Sequence, residues 1–197
     1  MQVVRFRYGQ RGAISGIVEN DHVRPVEGDI FGQYQRLAAA IPLARVRLLA
    51  PVTPTKVLAM ALNYRSHGGE RTPPSQPELF LKTLSAVVGP DEPIVIPKGT
   101  ERVDFEGELV VVMGRRAKGV PPEEALEYVF GYTCGNDVSA RDWQRSDMQW
   151  WRAKGADTFA PLGPWMITSL DPSNLELHTR VNGEEKQNTT TNLLIHD

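Results

Sequence analysis

The sequence predicts a mainly β protein with one or two short helices, a mixed arrangement of the α+β class. Short runs rich in valine, isoleucine and aromatic residues recur along the chain, and clusters of glycine, proline and asparagine separate them. Alternating residues flank Asn182-Gly183, the pair that type I′ hairpin turns favour. Helical patterns are confined to two short stretches, residues 31–41 and 119–132. These three observations favour a fold built on sheets.

The first part of the chain is predicted to be a small β-rich region. Strands are expected at residues 3–9, 13–19 and 22–27, where apolar runs end in turn signals. A short helix is expected at 31–41. A further strand leads into a proline-marked link near residues 51–54. We therefore divide the chain into residues 1–54 and a main domain, 55–197.

The main domain is predicted to alternate strands with polar loops. Its helix at 119–132 carries prolines and glutamates at its start, as helix N-termini do. The expected strands are "KVLAMALNY" (56–64), "ELFLKT" (78–83), "PIVIP" (93–97), "ELVVVMGR" (108–115), "GYTCGNDVSARD" (131–142, ending in a loop), "WMITSL" (165–170) and the two arms of the hairpin around Asn182-Gly183.

Composition and charge exclude several classes of function. The net charge is −2 and the chain has no basic run, which argues against nucleic acid and anionic membranes as partners. The single cysteine, Cys134, excludes an internal disulfide framework and fits a reducing compartment. No apolar run approaches the ~18 residues of a membrane span, and the N-terminus lacks the pattern of a secretory signal. A cytoplasmic location is expected.

The segment "VDFEGELVVVM", residues 103–113, places Asp104, Glu106 and Glu108 at every second position before an apolar run that is typical of a buried strand. In an extended chain these carboxylates share one face and repel each other. Solvent could screen them at the exposed start of a strand. Alternatively, a bound cation could hold them together. From the residues alone, both explanations stay open.

A three-carboxylate metal site is the functional interpretation of this segment. Glu106 and Glu108, with Asp137 from a later loop, would form an all-oxygen set that suits Mg²⁺, Mn²⁺ or Ca²⁺. Gly107 would let another group approach the backbone closely, although a β-bulge explains a glycine there equally well. Asp104 is either a fourth ligand or a solvated side chain.

Two further groups have the chemistry of catalytic residues. His67 and Glu70 are three residues apart and would share a face in a helical turn, where the carboxylate can orient the imidazole as a general base. Lys154 precedes a loop poor in apolar residues and could stabilise an oxyanion. A surface ion pair and a solvated lysine are the structural alternatives.

Five segments, in this order, resemble the fumarylacetoacetate hydrolase family. They are "LNYRSHGGE", "FLKTLSAVVGPDEPIVIP", "VDFEGELVVVMGR", "GYTCGNDVSARD" and "KGADTFAPLGP". The resemblance begins near residue 55, runs to the end of the chain and rests on several spaced motifs. A small N-terminal β region before the catalytic body resembles the bacterial isomerase and hydrolase members.

The resemblance implies a mixed β-fold, a homodimer and a divalent ion, Mg²⁺ or else Mn²⁺ or Ca²⁺. It also implies roles for individual residues. They are Glu106, Glu108 and Asp137 as metal ligands, His67, Glu70 and Lys154 as catalytic residues, and Tyr64, Arg65 and Arg141 as substrate-binding residues.

The implied substrates are 2-oxo acids and 1,3-dicarbonyl acids, often from the breakdown of aromatic compounds. We expect C–C bond hydrolysis of an acylpyruvate or a fumarylacetoacetate-like acid. Isomerisation of a hydroxymuconate-type acid, decarboxylation of an oxaloacetate-type acid, or a non-catalytic metal-binding subunit are the alternatives. Three carboxylates around a 2+ ion leave a charge of about −1, so an acidic substrate requires nearby cations. Lys154, Arg65 and Arg141 are the expected sources.

One feature departs from the family's pattern. Chains of this family continue past the hairpin with a helix and a glycine-rich loop, whereas this sequence ends at "TNLLIHD". We therefore expect residues 55–197 to be a catalytic domain that is truncated at its C-terminus.

Overall fold

The structure is a computed structural model that describes residues 1–10, 12–65, 72 and 74–196. In the first fifty residues the strands are β1 (Gln2–Arg7), β2 (Ile14–Glu19), β3 (His22–Gly28), β4 (Tyr34–Arg36), β5 (Ile41–Pro42) and β6 (Arg47–Leu49), with a 3₁₀ turn at Leu43–Arg45. The first three predicted strands are thus confirmed.

The remainder of the described chain is also mainly strand. Its strands are β7 (Val57–Ala61), β8 (Glu78–Lys82), β9 (Val87–Val88), β10 (Val103–Asp104), β11 (Gly107–Met113), β12 (Val129–Asn136), β13 (Ser139–Ala140), β14 (Ala160–Ile167), β15 (Glu176–Val181) and β16 (Glu184–Thr190). The helices are α1 (Arg141–Ser146) and α2 (Trp151–Gly155), with 3₁₀ segments at Leu84–Ala86, Pro122–Tyr128 and Thr191–Leu193. The predicted class, mainly β with short helices, is confirmed.

One large sheet organises the molecule, in the strand order β11-β12-β14-β1-β2-β3-β4. Strand β5 pairs with β3, β6 pairs with β1, and β9 pairs with β14. Of these three pairings, β9–β14 is parallel. Strand β1 pairs with β14 through Gln2↔Ile167, so the N-terminal strands and the later strands share this sheet. Two-stranded sheets form from β7–β8, β10–β13 and β15–β16.

The core lies on both faces of β1, whose side chains alternate between two apolar clusters. Val3 packs in one cluster with Met166 and Val112, and Val4 and Phe6 pack in another around β3. A third cluster surrounds the fully buried Phe159, beside Val138 and Ala140. Val138 directly follows Asp137 in the chain, so this third cluster lies next to the predicted site.

Local turn chemistry predicted the hairpin correctly. Asn182 has φ 51° and Gly183 has φ 82°, and Val181 pairs with Glu184 across the turn. Positive φ at both central residues is the requirement of a type I′ turn.

Three other sequence predictions were wrong. Residues 31–41 form no helix, because β4 pairs with the edge of β3 and this pairing overrides the helical preference of the alanine-rich stretch. Residues 93–97 form no strand, since Pro93 and Pro97 lack the N–H donors that a ladder requires. The predicted helix at 119–132 is only the 3₁₀ segment Pro122–Tyr128, after which β12 begins.

The acidic segment also differs from the single buried strand that its sequence predicts. The strand is interrupted at Phe105 and Glu106, between β10 and β11. Strand β11 is an edge strand of the large sheet, and Val111 and Met113 each remain 49% exposed. Within the described part of the chain, no helix is long and apolar enough to cross a membrane.

The role of β1 in the core can be tested by truncating its largest buried side chain. Phe6→Ala should lower the free energy of unfolding by about 3–5 kcal/mol, because Phe6 is fully buried and the cavity could not fill completely. Urea denaturation measures the change. Leu126→Ala, at a side chain that is 70% exposed, is the control and should cost less than about 0.5 kcal/mol. Equal effects of the two substitutions would contradict this packing.

Candidate active site

The ends of several strands and a short helix bring charged side chains together. Glu106 lies in the interruption before β11, Glu108 lies in β11, and Asp137 directly follows β12. Two cations complete the group: Lys82 is the last residue of β8, and Lys154 lies in α2. Strands, a helix and residues directly next to strand ends therefore present these groups.

Backbone hydrogen bonds fix the positions of two of the carboxylates. The N–H of Asp137 donates to the carbonyl oxygen of Glu106 at 2.8 Å. The N–H of Glu106 donates to the side-chain oxygen of Asn136 at 2.9 Å. The buried hydroxyl of Ser139 donates to the carbonyl oxygen of Asp137 at 2.9 Å. These bonds hold Glu106 and Asp137 side by side although the ladder is broken between them.

The ammonium of Lys154 bridges these two carboxylates. Its Nζ donates to Asp137 Oδ2 at 2.6 Å and to Glu106 Oε2 at 2.8 Å. Lys154 is only 3% exposed, so these charges interact with little screening by water. The proposal that Lys154 lies at the site and not in solvent thus has direct geometric support.

A second buried lysine, Lys82, donates from Nζ to the other oxygen of Asp137. Burial lowers the pKa of Lys82, and the adjacent Asp137 carboxylate partly offsets this effect. Sequence analysis missed Lys82. Its signal was a lysine two residues after Phe80 on the inward face of a strand, where Leu79 and Leu81 alternate outward.

Arg141 links the remaining part of the acidic segment. Its guanidinium donates to Asp104 Oδ2 at 2.9 Å and also to Glu106 Oε1. Arg102 donates to both oxygens of Asp104, and these hydrogen bonds hold the pKa of Asp104 below its ordinary value. Asp104 is therefore neutralised by arginines, an arrangement that neither of the two sequence-based alternatives included.

Glu108 differs electrostatically from its neighbours. Burial, together with repulsion from Asp137 and Glu106, raises its pKa to about 8, although Lys154 and Lys82 act in the opposite direction. Tyr64 is buried close by, and burial together with the charge of Glu108 raises the pKa of its phenol. A cation among these carboxylates would offset the repulsion that, together with burial, raises the pKa of Glu108.

The donor set fits a hard divalent cation by its chemistry. All three predicted ligands are carboxylates, which supply the hard oxygen donors that such ions bind. Among the described residues, however, no three His, Cys, Asp or Glu side chains are close enough to hold an ion as they stand. The ammonium of Lys154 lies between Glu106 and Asp137 instead. The metal role of Glu106, Glu108 and Asp137 therefore stays a prediction.

The other predicted site residues fall into three groups. His67 and Glu70 lie outside the described residues. Tyr64 and Arg141 lie at the carboxylate cluster. Arg65 is exposed, and no hydrogen bond or ion pair joins it to the cluster in the part of the chain that the structure describes.

Comparison with protein-family models places both parts of the chain. A model described as fumarylacetoacetate (FAA) hydrolase C-terminal matches residues 56–197, and one described as Rv2993c-like, N-terminal, matches residues 1–51. Protein Rv2993c of Mycobacterium tuberculosis (strain ATCC 25618 / H37Rv) is 53% identical over 172 residues, covering 85% of this chain and 65% of that protein. The chain spans 62–65% of the length of the first three curated relatives that it matches.

Solved structures share the fold. The 5-carboxymethyl-2-hydroxymuconate delta-isomerase from Mycobacterium smegmatis has a TM-score of 0.93 and 45% identity, covering 100% of this chain and 78% of that chain. Maleylpyruvate hydrolase from Sphingobium sp. SYK-6, solved in complex with manganese (II) ion and pyruvate, has a TM-score of 0.76 and 30% identity, covering 99% of this chain and 78% of that chain. The mixed β-fold that the resemblance implied is confirmed.

The raised pKa of Glu108 predicts how stability depends on pH in metal-free protein. Its pKa is 4.5 ordinarily and about 8 in the folded state, so folding favours the protonated form. This contribution to stability is complete below about pH 4.5 and is lost as the pH rises through about 8. The free energy of unfolding in the presence of a chelator should therefore fall across this range, and the fall should be smaller in Glu108→Gln.

Urea denaturation at a series of pH values between about 5 and about 8.5 measures the slope. Glu124→Gln, at an exposed carboxylate of the 3₁₀ segment Pro122–Tyr128, is the matched control and should leave the slope unchanged. Identical slopes for wild type and Glu108→Gln would contradict the assignment of this proton to Glu108.

Proposed function

This chain belongs to the fumarylacetoacetate hydrolase family, and on that premise we propose that it is a metal-dependent enzyme that hydrolyses a C–C bond in an acylpyruvate or a fumarylacetoacetate-like acid. The observation that carries the proposal is the buried ammonium of Lys154, which donates to both Glu106 and Asp137. A cation thus already lies between two of the three carboxylates predicted to bind the metal. The raised pKa of Glu108 supports the same site.

The cations around the carboxylates favour an acidic substrate. Lys82, Lys154 and Arg141 each donate to Glu106 or Asp137, and both lysines are nearly inaccessible to water. A carboxylate next to a carbonyl presents two oxygens in one plane, which suits a hard cation and adjacent ammonium groups. Maleylpyruvate hydrolase, solved with manganese (II) ion and pyruvate, supports a 2-oxo acid as the ligand.

The chain's own residues have distinct tasks in the proposed reaction. Mg²⁺ or Mn²⁺ held by Glu106, Glu108 and Asp137 would supply Lewis-acid polarisation of the substrate oxygens. His67, oriented by Glu70, would remove a proton from the water that attacks the acyl carbonyl carbon. The C–C bond to the 2-oxo acid part then breaks, and its electron pair becomes an enolate that later accepts a proton. The ammonium of Lys154 is the donor that would stabilise this negative charge.

Isomerisation of a hydroxymuconate-type acid is the second candidate. The observation that favours it is the greater similarity to the Mycobacterium smegmatis isomerase, at 45% identity, than to the maleylpyruvate hydrolase, at 30%. Isomerisation requires proton transfer but no attacking water. The two reactions share the carboxylate cluster and differ in the need for a base that activates water.

We propose Mg²⁺ as the bound ion, with Mn²⁺ or Ca²⁺ as substitutes, and a homodimeric, cytoplasmic protein that acts in the breakdown of aromatic compounds. These details rest on the family resemblance; the single, unpaired Cys134 is compatible with a reducing compartment. Light scattering coupled to size-exclusion chromatography measures the assembly. A mass of one chain at micromolar concentration would contradict the dimer.

A substrate panel tests the reaction type. The protein is incubated with an acylpyruvate, oxaloacetate and a hydroxymuconate-type dienoic acid, each with Mg²⁺ or with a chelator. Pyruvate should be released from the acylpyruvate only with Mg²⁺. His67→Ala should slow this release on the order of 10²–10⁴-fold, the usual contribution of a general base, while leaving Mn²⁺ affinity unchanged.

Lys186→Ala provides the control, since Lys186 pairs with Glu184 on the exposed hairpin. Hydrolysis that persists in the chelator would overturn the metal dependence. Turnover of the dienoic acid alone, unaffected by His67→Ala, would favour the isomerase.

Oxalate tests the 2-oxo acid preference independently of turnover. This planar dianion resembles the enolate of a 2-oxo acid and should bind only when Mg²⁺ or Mn²⁺ is present. Isothermal titration calorimetry with and without the metal measures the binding, and acetate, which lacks the second oxygen pair, is the control ligand. Binding of oxalate that is equally strong without metal would argue for a site built on lysines alone.

A further inference from the structure

The backbone of Gly107 lies at a free edge of the large sheet. Strand β11 ends the strand order, so among the described residues no further strand of that sheet pairs with its outward N–H and C=O groups. Gly107 separates Glu106 from Glu108, and its two torsion angles set the relative direction of these carboxylates. What satisfies the backbone at Gly107 therefore bears directly on the site.

The side-chain amide of Gln187, from β16 of the hairpin, binds both backbone groups of Gly107. The N–H of Gly107 donates to Gln187 Oε1 at 2.8 Å, and Gln187 Nε2 donates to the carbonyl oxygen of Gly107 at 2.8 Å. One amide thus replaces the pair of hydrogen bonds that a neighbouring strand would make. The two contacts require the amide oxygen and nitrogen in this orientation and not the reverse.

Thr179, on the opposite strand of the hairpin, adds a third hydrogen bond to this amide. Thr179 and Gln187 are cross-strand partners in β15 and β16. The hydroxyl of Thr179 donates to Gln187 Oε1 at 3.0 Å, so this oxygen accepts from two donors. A flipped amide would place its N–H group against the N–H of Gly107 and its oxygen against the carbonyl oxygen of Gly107.

Close approach of Thr179 also explains why a glycine occupies position 107. A Cβ added there would lie 2.1 Å from Thr179 Oγ1, far inside contact distance. Of the two sequence-based explanations for Gly107, the close approach of another group is the one that these contacts support. Glycine, however, has more backbone freedom than any other residue, and this freedom would let Glu106 and Glu108 diverge. The two hydrogen bonds between Gln187 and the backbone of Gly107 restrict this conformational freedom.

We propose that Gln187 is a positioning residue for the metal-binding carboxylates, and that Thr179 holds its amide in the productive orientation. The inference rests on the proposed metal site, which it deepens. Gln187 contacts the one residue between Glu106 and Glu108, on the side opposite Asn136, which holds the backbone N–H of Glu106. The hairpin therefore acts on the ligands through the backbone of Gly107, and within the described part of the chain no hydrogen bond or ion pair joins it to either carboxylate.

Gln187→Ala should weaken Mn²⁺ binding about 10–100-fold, the usual loss when an outer partner of a metal ligand is removed. Isothermal titration calorimetry at one pH gives the dissociation constant. Hydrogen exchange at the Gly107 amide, followed by NMR, should accelerate, because the hydrogen bond from this N–H to Gln187 is lost. Asn188→Ala is the matched control, because Asn188 lies next in the same strand, is exposed, and donates from its side-chain amide to the exposed Glu185.

A second pair of variants isolates the hydroxyl of Thr179. Thr179→Val keeps the shape but removes the donor to Gln187 Oε1, and Mn²⁺ binding should weaken; Thr179→Ser keeps the donor and should retain wild-type affinity. Because these changes are nearly isosteric, they remain informative even where Gln187→Ala unfolds the hairpin. The affinity for Mn²⁺ should decrease in the order Thr179→Ser, Thr179→Val, Gln187→Ala.

The outcomes separate the two proposals. Tight Mn²⁺ binding by the wild type with unchanged affinity in Gln187→Ala and Thr179→Val would overturn the positioning role and leave the metal site intact. A lowered melting temperature with unchanged Mn²⁺ affinity would likewise overturn the positioning role, since the hydrogen bonds between Gln187 and Gly107 would then contribute only to stability. Absence of Mn²⁺ binding by the wild type would overturn the metal site and, with it, the role assigned to Gln187.

Discussion

The arrangement of the site depends on the two hydrogen bonds that the buried ammonium of Lys154 donates to Glu106 and Asp137. Two carboxylates that share one ammonium lie close enough to repel each other, and burial removes the water that would screen this repulsion. A lysine from a short helix supplies the charge that makes their proximity tolerable. Lys82 adds a second cation on the far oxygen of Asp137. Strands β8, β11 and β12 and helix α2 must therefore keep their relative positions for any one of these charges to remain paired.

The N-terminal strands contribute to that rigidity. Strand β1 pairs with β14, and β14 pairs with β12, whose end carries Asp137. Val3 on one face of β1 packs with Met166, while Phe6 on the other face packs within the N-terminal strands. The first fifty residues thus share a core with the strands that position the carboxylates. Division of the chain at residues 54 and 55 stays a prediction, and the sheet crosses it without interruption.

What the sequence could predict follows from how locally each feature is determined. The turn at Asn182-Gly183 depends on the two residues themselves, and its prediction was correct. The pairing of residues 34–36 with β3 and the burial of Lys82 depend on distant partners, and sequence analysis missed both. The role of Gln187 was equally invisible, since only the docking of the hairpin brings its amide to Gly107.

The charge balance of the site connects its structure with the choice of substrate. Four carboxylates, Asp104, Glu106, Glu108 and Asp137, are matched by four cations, Lys82, Lys154, Arg102 and Arg141. When only the three predicted ligands are counted, a site that holds a 2+ ion has a net charge of about −1. When all four carboxylates and all four cations are counted, the net charge of the site equals the charge of the ion. A monoanion would leave part of that charge unmatched beside Lys82 and Lys154, which are nearly inaccessible to water. A dianion, such as a 2-oxo acid whose enolate carries the second charge, would balance it, and the balance would be complete when the C–C bond breaks.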